Sequence, residues 1–110
     1  MRLFAVADEM IMGRGVFGVF STLEKAKEYL QDFELRTGFR CAISKLEVLG
    51  GEGDCTTVCV AYNHDCIHDV YLLDGLYASE WDAYEATGDR GLRVEFVVDF
   101  PERKRRLIDI

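Results

Sequence analysis

Six short stretches of the chain are predicted as β-strands, most of them because apolar and polar residues alternate with a period of two, and the second because it is rich in β-branched and aromatic residues. Met10–Arg14, which contains Gly13, predicts a turn, and Gly50–Asp54 predicts a flexible loop in mid-chain. The predicted strands are Arg2–Asp8, Gly15–Phe20, Cys41–Leu49, Thr56–Tyr62, Asp69–Leu73 and Gly91–Phe100, the last of them ended by Pro101.

A change of period after the second strand predicts an amphipathic helix, because apolar residues recur at gaps of three and four. Ser21 is the predicted N-cap, with its hydroxyl accepting the backbone N–H of Glu24, and Gly38 is the predicted end. The apolar stripe consists of Leu23, Ala26, Leu30 and Phe33.

A second, shorter helix is predicted after Ser79, because Ser79 and Asp82 repeat the same capping pattern. The hydroxyl stands at its first position and the carboxylate at its fourth. Trp81 and Tyr84 are expected to face inward from this helix. Gly88 is its predicted end.

The resulting order is ββαβ, loop, ββαβ, and it predicts an α+β fold. In that fold two ββαβ units form an antiparallel sheet with two helices packed on one face. The units span residues 1–49 and 55–100, and residues 101–110 form a basic C-terminal tail. Weak internal similarity is consistent with a duplication, and the alternative is that any two ββαβ stretches share such a pattern. At an offset of 57, Gly18-Val19-Phe20 aligns with Gly75-Leu76-Tyr77 and Ala26 with Ala83.

The composition fits one domain over residues 1–110, since 49% hydrophobic residues are enough for a core without disulfides or metal. No stretch reaches the roughly 20 apolar residues that span a membrane. Asp8 interrupts the first segment too early for a secretory signal. These features predict a cytoplasmic protein with reduced thiols.

The net charge of −7 is concentrated in residues 47–99, which contain twelve Asp or Glu and two Lys or Arg. Such a field attracts basic proteins and repels nucleic acid and anionic membranes. It predicts an interaction module that docks on a basic partner, as an inhibitor, an immunity protein, a phage-type antagonist or a nucleic-acid mimic does. Solubility is the competing explanation of the charge. The predicted partner-binding residues are Glu80, Asp82, Tyr84, Glu85 and Asp89.

Three of the four cysteines and both histidines lie within fourteen residues. Thiolates and imidazoles are ligands that zinc prefers, so a metal-binding or thiol-active protein is the alternative hypothesis. The spacing matches no standard zinc frame, and core cysteines beside polar turn histidines are the competing explanation. The cluster is Cys55, Cys59, His64, Cys66 and His68.

The sequence favours a non-enzymatic protein, because it contains no nucleophile elbow, phosphate-binding loop or dinucleotide motif. No catalytic residue is predicted, and zinc is the one cofactor considered. Arg103–Arg106 is too short a basic run for a nucleic-acid site. A third hypothesis is a homo-oligomer in which the basic tail or a sheet edge meets the acidic face of a neighbour.

Overall fold

The computed structural model describes residues 1–8, 15–50 and 56–107. Nine helices and strands make up this described part. In chain order they are β1 (Arg2–Asp8), β2 (Val16–Phe20), α1 (Leu23–Thr37), β3 (Cys41–Leu49), β4 (Thr57–Asp65), β5 (Val70–Tyr77), α2 (Glu80–Thr87), β6 (Leu92–Val97) and β7 (Phe100–Leu107).

Most of the predicted elements are confirmed. Strands β1 and β3 begin and end where the alternation predicts, whereas β4 and β5 run longer, to Asp65 and Tyr77. The predicted turn Met10–Arg14 lies outside the described residues, as does the predicted loop beyond Gly50.

The cap of α2 is confirmed, but the cap of α1 is one residue later than predicted. Ser79 accepts the backbone N–H of Asp82. In α1 it is Thr22 whose Oγ1 accepts the backbone N–H of Lys25, at 3.3 Å. Ser21 instead donates its hydroxyl to Asp99 Oδ2 at 2.7 Å, so an acceptor distant in sequence decides which hydroxyl caps the helix.

All seven strands form one sheet in the order β2-β1-β3-β5-β4-β6-β7. Neighbouring strands are antiparallel except β3 and β5, which pair in parallel at Val48↔Leu76 and Leu49↔Tyr77. The mixed sheet is nearly closed and barrel-like, and of the described residues 54% lie in strands and 24% in helices. The predicted α+β arrangement, an antiparallel sheet with two helices packed on one face, is therefore wrong.

The position of the main core gives the physical reason for this difference. The largest buried cluster lies inside the curled sheet and contains no helical residue. Ala26 of α1 and Ala83 of α2 instead pack in two smaller clusters on the outer side of the strands. Strand β4 is thus buried on both faces. The main cluster is Leu3, Ala5, Val16, Val19, Val58, Val60, Tyr62, Leu76, Phe96 and Val98.

The two ββαβ units have the same internal strand order. The first is arranged β2-β1-β3 and the second β5-β4-β6, so the first strand of each unit is central. Ala26 and Ala83, which align in the sequence, are both fully buried beneath their helices. Similar units adopt such an arrangement with or without common descent, so the duplication stays a prediction.

Residues predicted as the start of a basic tail form strand β7, which pairs with β6 and brings the last strand close to the first hairpin. The backbone N–H of Asp99 donates to the Val19 carbonyl at 2.9 Å. Gly18 passes so near Pro101 that a Cβ there would lie 2.9 Å from the proline Cβ. Pro101 is thus part of an edge strand, where its missing N–H is tolerated, and its predicted role as a strand end is wrong.

Within the described part of the chain, neither helix combines the length and apolar character needed to cross a bilayer. Cys41, Cys59 and Cys66 are free thiols.

Candidate functional site

The first turn of α2 is fixed by polar side chains. Asp82 donates its backbone N–H to the Ser79 hydroxyl at 3.1 Å, and that hydroxyl donates to Asp82 Oδ2 at 2.7 Å. The carboxylate also lies against Gly50, where a Cβ would come within 2.6 Å of Oδ2. Asp82 therefore positions the helix start on the end of β3.

Trp81 projects into solvent, with 64% of its surface exposed, so the prediction that it faces inward is wrong. The short helix buries Ala83 against the sheet and has no second inward position for a large ring. The Trp81 ring stacks on Tyr84, with centroids 5.7 Å apart. Glu80 is exposed four residues before Tyr84, and Glu85 is exposed four residues after Trp81, a spacing that makes side chains neighbours on a helix surface.

Tyr84 is held in place by a buried arginine of β6. The Arg93 guanidinium carbon lies 5.1 Å from the Tyr84 ring centre, and Nη1 donates to the Gly88 carbonyl at 3.0 Å. The Tyr84 hydroxyl donates to Asp89, whose hydrogen bond and charge raise the pKa of Tyr84. Tyr84 is thus a rigid support for Trp81, and a cation lies at the helix end where the dipole favours it.

The described acidic residues between positions 47 and 99 divide into two groups by their partners. Glu47 pairs with Arg2, Glu95 with Arg105, and Asp99 with Lys25. Two more, Asp65 and Asp69, contact histidines. The group for which the described ranges offer no Lys or Arg partner consists of Asp74, Glu80, Asp82, Glu85 and Asp89. The uncompensated charge is therefore concentrated at α2 and the strand before it.

Of the five predicted partner-binding residues, three share one surface of α2, and two are committed to local contacts. Asp82 holds the helix start, and Asp89 accepts the Tyr84 hydroxyl. We call Glu80, Trp81, Tyr84 and Glu85 the acidic α2 surface. Trp81 is the residue that sequence reasoning missed, although its spacing of three from Tyr84 signals that the two rings stack.

Tyr77 lies beneath α2 and is half-buried against Ala83. Its hydroxyl donates to Asp74, which also accepts from Asn63 Nδ2 at 2.7 Å. Burial, together with the hydrogen bond and charge of Asp74, raises the pKa of Tyr77 to about 12. Tyr77 is therefore a structural link between β5 and the helix and is not part of the exposed surface.

The predicted Cys/His cluster is only partly brought together. His64 Nδ1 lies 3.5 Å from Cys66 Sγ, and His64 Nε2 lies 2.9 Å from Asp69 Oδ1. His68 instead contacts Asp65, with Nδ1 2.8 Å from Oδ2. These groups sit at the exposed turn between β4 and β5.

The other cysteines of the predicted cluster do not join this turn. Cys59 is 1% exposed and packs beneath α2, where burial raises its pKa to about 11. Cys55 lies outside the described residues. No group of three or more His, Cys, Asp or Glu side chains suited to a metal ion occurs in the ranges that the structure describes.

The basic run predicted as a tail is mostly surface-exposed along β7. Arg105 lies opposite Glu95, with Nη2 3.5 Å from Oε1, and the Arg103 guanidinium lies 4.9 Å from the Phe100 ring centre. Part of the run thus folds back on the acidic half of its own chain. No family model, curated protein or solved structure shows a match to this chain, so the geometry of these surfaces is the basis for assigning a function.

Proposed function

We propose that this chain is a non-enzymatic interaction module that docks on a basic protein through the acidic α2 surface. The observation that supports it most directly is a tryptophan exposed among carboxylates for which the described residues provide no Lys or Arg partner. Exposed aromatic residues are common anchors of protein interfaces, where truncating one typically costs ~2 kcal/mol or more.

The chemistry of the surface favours Arg or Lys as the groups that it binds. A guanidinium can lie over the Trp81 ring, where the cation–π attraction reaches about 2 kcal/mol once water is excluded. Glu80 and Glu85, on either side, can accept its N–H groups in charge-assisted hydrogen bonds. The wider negative field accelerates encounter with such a partner.

A basic nucleic-acid-binding protein is the partner class that this proposal favours, with the carboxylates in the place of phosphates. An inhibitor, an immunity protein or a phage-type antagonist would act in this way, and a cytoplasmic location belongs to the same proposal. The rigid Trp81–Tyr84 stack supports recognition by shape as well as charge, because little side-chain entropy is lost on binding.

The test is a titration with an arginine nonamer in which binding is monitored by the fluorescence of Trp81, the only tryptophan of the chain. We expect the double variant Glu80→Lys/Glu85→Lys to bind at least about tenfold more weakly, since two charge pairs are lost. Repeating the titration with a basic DNA-binding domain, with duplex DNA as competitor, tests nucleic-acid mimicry.

The matched control is Glu24→Lys/Glu28→Lys in α1, where both side chains are exposed and Glu28 occupies the same sixth helical position as Glu85. It changes the net charge equally but leaves the acidic α2 surface intact. Equal weakening by the two double variants would mean that net charge alone drives binding, and the docking surface would be rejected.

The alternative metal-binding hypothesis is supported by the proximity of one imidazole and one thiol, His64 and Cys66. Zinc in a structural site takes four protein ligands, so other donors would have to join them. Elemental analysis of protein purified without added zinc tests this alternative. A metal-to-protein ratio near zero, with unchanged melting in chelator, would eliminate it.

A further inference from the structure

A cysteine, a histidine and an aspartate form a linear array at the turn between β4 and β5. Cys66 Sγ lies 3.5 Å from His64 Nδ1, and His64 Nε2 lies 2.9 Å from Asp69 Oδ1. We propose that Cys66 is a nucleophilic thiol that exchanges with small disulfides, with His64 as its base and Asp69 as the positioning residue. This site is independent of the acidic α2 surface.

The carboxylate of Asp69 determines which imidazole nitrogen carries the proton. An ionised carboxylate only accepts hydrogen bonds, so His64 must present Nε2–H to Asp69. In the neutral imidazole Nδ1 is then the bare nitrogen, and it faces the Cys66 sulfur. An acceptor directed at a thiol, and itself oriented by a third group, is the arrangement that activates nucleophiles in general.

The turn holds this array in an uncommon backbone conformation. Asp69 has a φ of 51°, in the left-handed region that Asp and Asn tolerate better than most residues. Asp65 accepts the backbone N–H of Ile67 at 3.0 Å and that of His68 at 3.3 Å, which shapes the preceding residues. The His64 ring packs on Tyr71, with centroids 5.0 Å apart. The geometry is thus fixed by the hairpin before any substrate arrives.

The surroundings of Cys66 suit exchange between sulfur atoms better than hydrolysis. The thiol is exposed, and exchange requires only that a second sulfur approach it in line, without a cleft to hold an oxyanion. Arg90 Nη1 donates a hydrogen bond to Sγ at 3.6 Å, so the sulfur is held by a second polar group besides His64. Cys59, buried beneath α2, lacks both access and such a base.

The reaction balances without any further reactant. The thiol proton moves to His64 Nδ1, and the thiolate attacks one sulfur of a disulfide RSSR. A Cys66–S–S–R bond forms while the original S–S bond breaks, and its electron pair leaves on RS⁻, which takes up a proton. The Cys66 sulfur is oxidised and the departing sulfur is reduced, so the disulfide itself is the oxidant.

The test measures the rate at which 2-hydroxyethyl disulfide, a neutral probe, modifies Cys66 in the unaltered chain at pH 7. Fragmentation of proteolytic peptides in a mass spectrometer distinguishes Cys66 from the other thiols. The reference is a synthetic peptide of residues 62–72, whose one cysteine is Cys66 and which has the same neighbours in sequence. We expect the folded chain to react at least about tenfold faster, as general-base assistance implies.

Three variants separate the roles of the neighbouring groups. His64→Gln should lower the rate to near that of the peptide. Asp69→Asn, which keeps a residue suited to positive φ, should lower it several-fold. It should also change the ¹⁵N shifts of the His64 ring away from the Nε2–H tautomer. His68→Gln is the matched control, because it removes a similar His–Asp pair that contacts no thiol among the described residues.

A native rate within twofold of the peptide rate would overturn the proposal, as would an unchanged rate in a folded His64→Gln variant. An equal loss in His68→Gln would assign the effect to the shape of the turn and would also overturn it. Circular dichroism confirms folding of each variant. None of these results affects binding through α2.

Discussion

The buried guanidinium of Arg93 lies 5.1 Å from the ring of Tyr84 and connects strand β6 to the exposed rings of α2. Arg93 also donates to the Gly88 carbonyl at 3.0 Å and to Thr87 Oγ1 at 3.4 Å, at the end of the helix. The last turn of α2 has no basic residue of its own. A neighbouring strand thus supplies the cation that completes this helix.

Replacing Arg93 with Met should lower the free energy of unfolding by about 2 kcal/mol, because charge-assisted hydrogen bonds at the helix end are lost. Urea denaturation measures the change. The control is Arg103→Met, which removes an exposed guanidinium lying over Phe100 and should cost less than about 1 kcal/mol. Similar costs for both variants would contradict a structural role for Arg93.

Asp99 should make stability depend on acid pH. Burial opposes its ionisation. Hydrogen bonds from the Ser21 backbone and hydroxyl and from Lys25 outweigh that effect and lower the pKa of Asp99. Because the folded pKa lies below the unfolded one, the contribution is complete above about pH 4 and is lost as the pH falls through the folded value.

Asp99→Asn, which suits the positive φ at this turn, should cost about 1–2 kcal/mol at pH 7. It should also flatten the decline in stability below about pH 4. Asp32→Asn, which breaks an exposed pair with Arg36, is the comparison and should cost no more than about 0.5 kcal/mol. Thermal melts from pH 2 to pH 7 give both curves. A parallel acid decline in wild type and Asp99→Asn would refute this account.

Gly50 and Gly38 allow backbone strain to be separated from a steric clash. Both have positive φ, of 72° and 77°, so alanine at either should cost ~1 kcal/mol. Only at Gly50 would the new Cβ meet another group, the carboxylate of Asp82. Gly50→Ala should therefore cost about 1 kcal/mol more, by displacing the cap of α2. Urea denaturation measures these costs. In an Asp82→Ala background the extra cost of Gly50→Ala over Gly38→Ala should disappear. If the extra cost persists there, the clash with Asp82 is not its cause.

The fluorescence of Trp81 should report the acidic field without any partner. An exposed ring among carboxylates should be quenched more efficiently by caesium than by iodide, by roughly twofold or more at low ionic strength. Glu80→Gln/Glu85→Gln should reduce this preference, whereas Glu28→Gln should not. Equal quenching by the two ions in the wild type would mean that the field at Trp81 is weak.

Local patterns predicted most of the elements, because alternation and helical spacing depend on residues close in sequence. The bounds of β1 and β3 follow directly from that alternation. Strand β7 was missed because Arg103, Lys104 and Arg106 are exposed on an edge strand. Since few residues of this strand are buried, its sequence lacks the alternation of apolar and polar residues that predicts a strand. Closure of the sheet depends on contacts such as that between Gly18 and Pro101, which are distant in sequence.

The candidate sites show the same division between local and distant effects. The capping pair of Ser79 and Asp82 could be predicted, since it spans three residues. The exposure of Trp81 could not, because it depends on how little of a short helix the sheet can cover. The pairing of His64 with Cys66 and Asp69 depends on the shape of a turn that begins later than predicted.

The parallel junction between β3 and β5 is the narrowest connection in the sheet, with two paired positions where β1 and β3 have seven. When a force is applied perpendicular to the strands, the β3–β5 junction resists it with the fewest paired positions. We expect the sheet to open along this junction first under mechanical force.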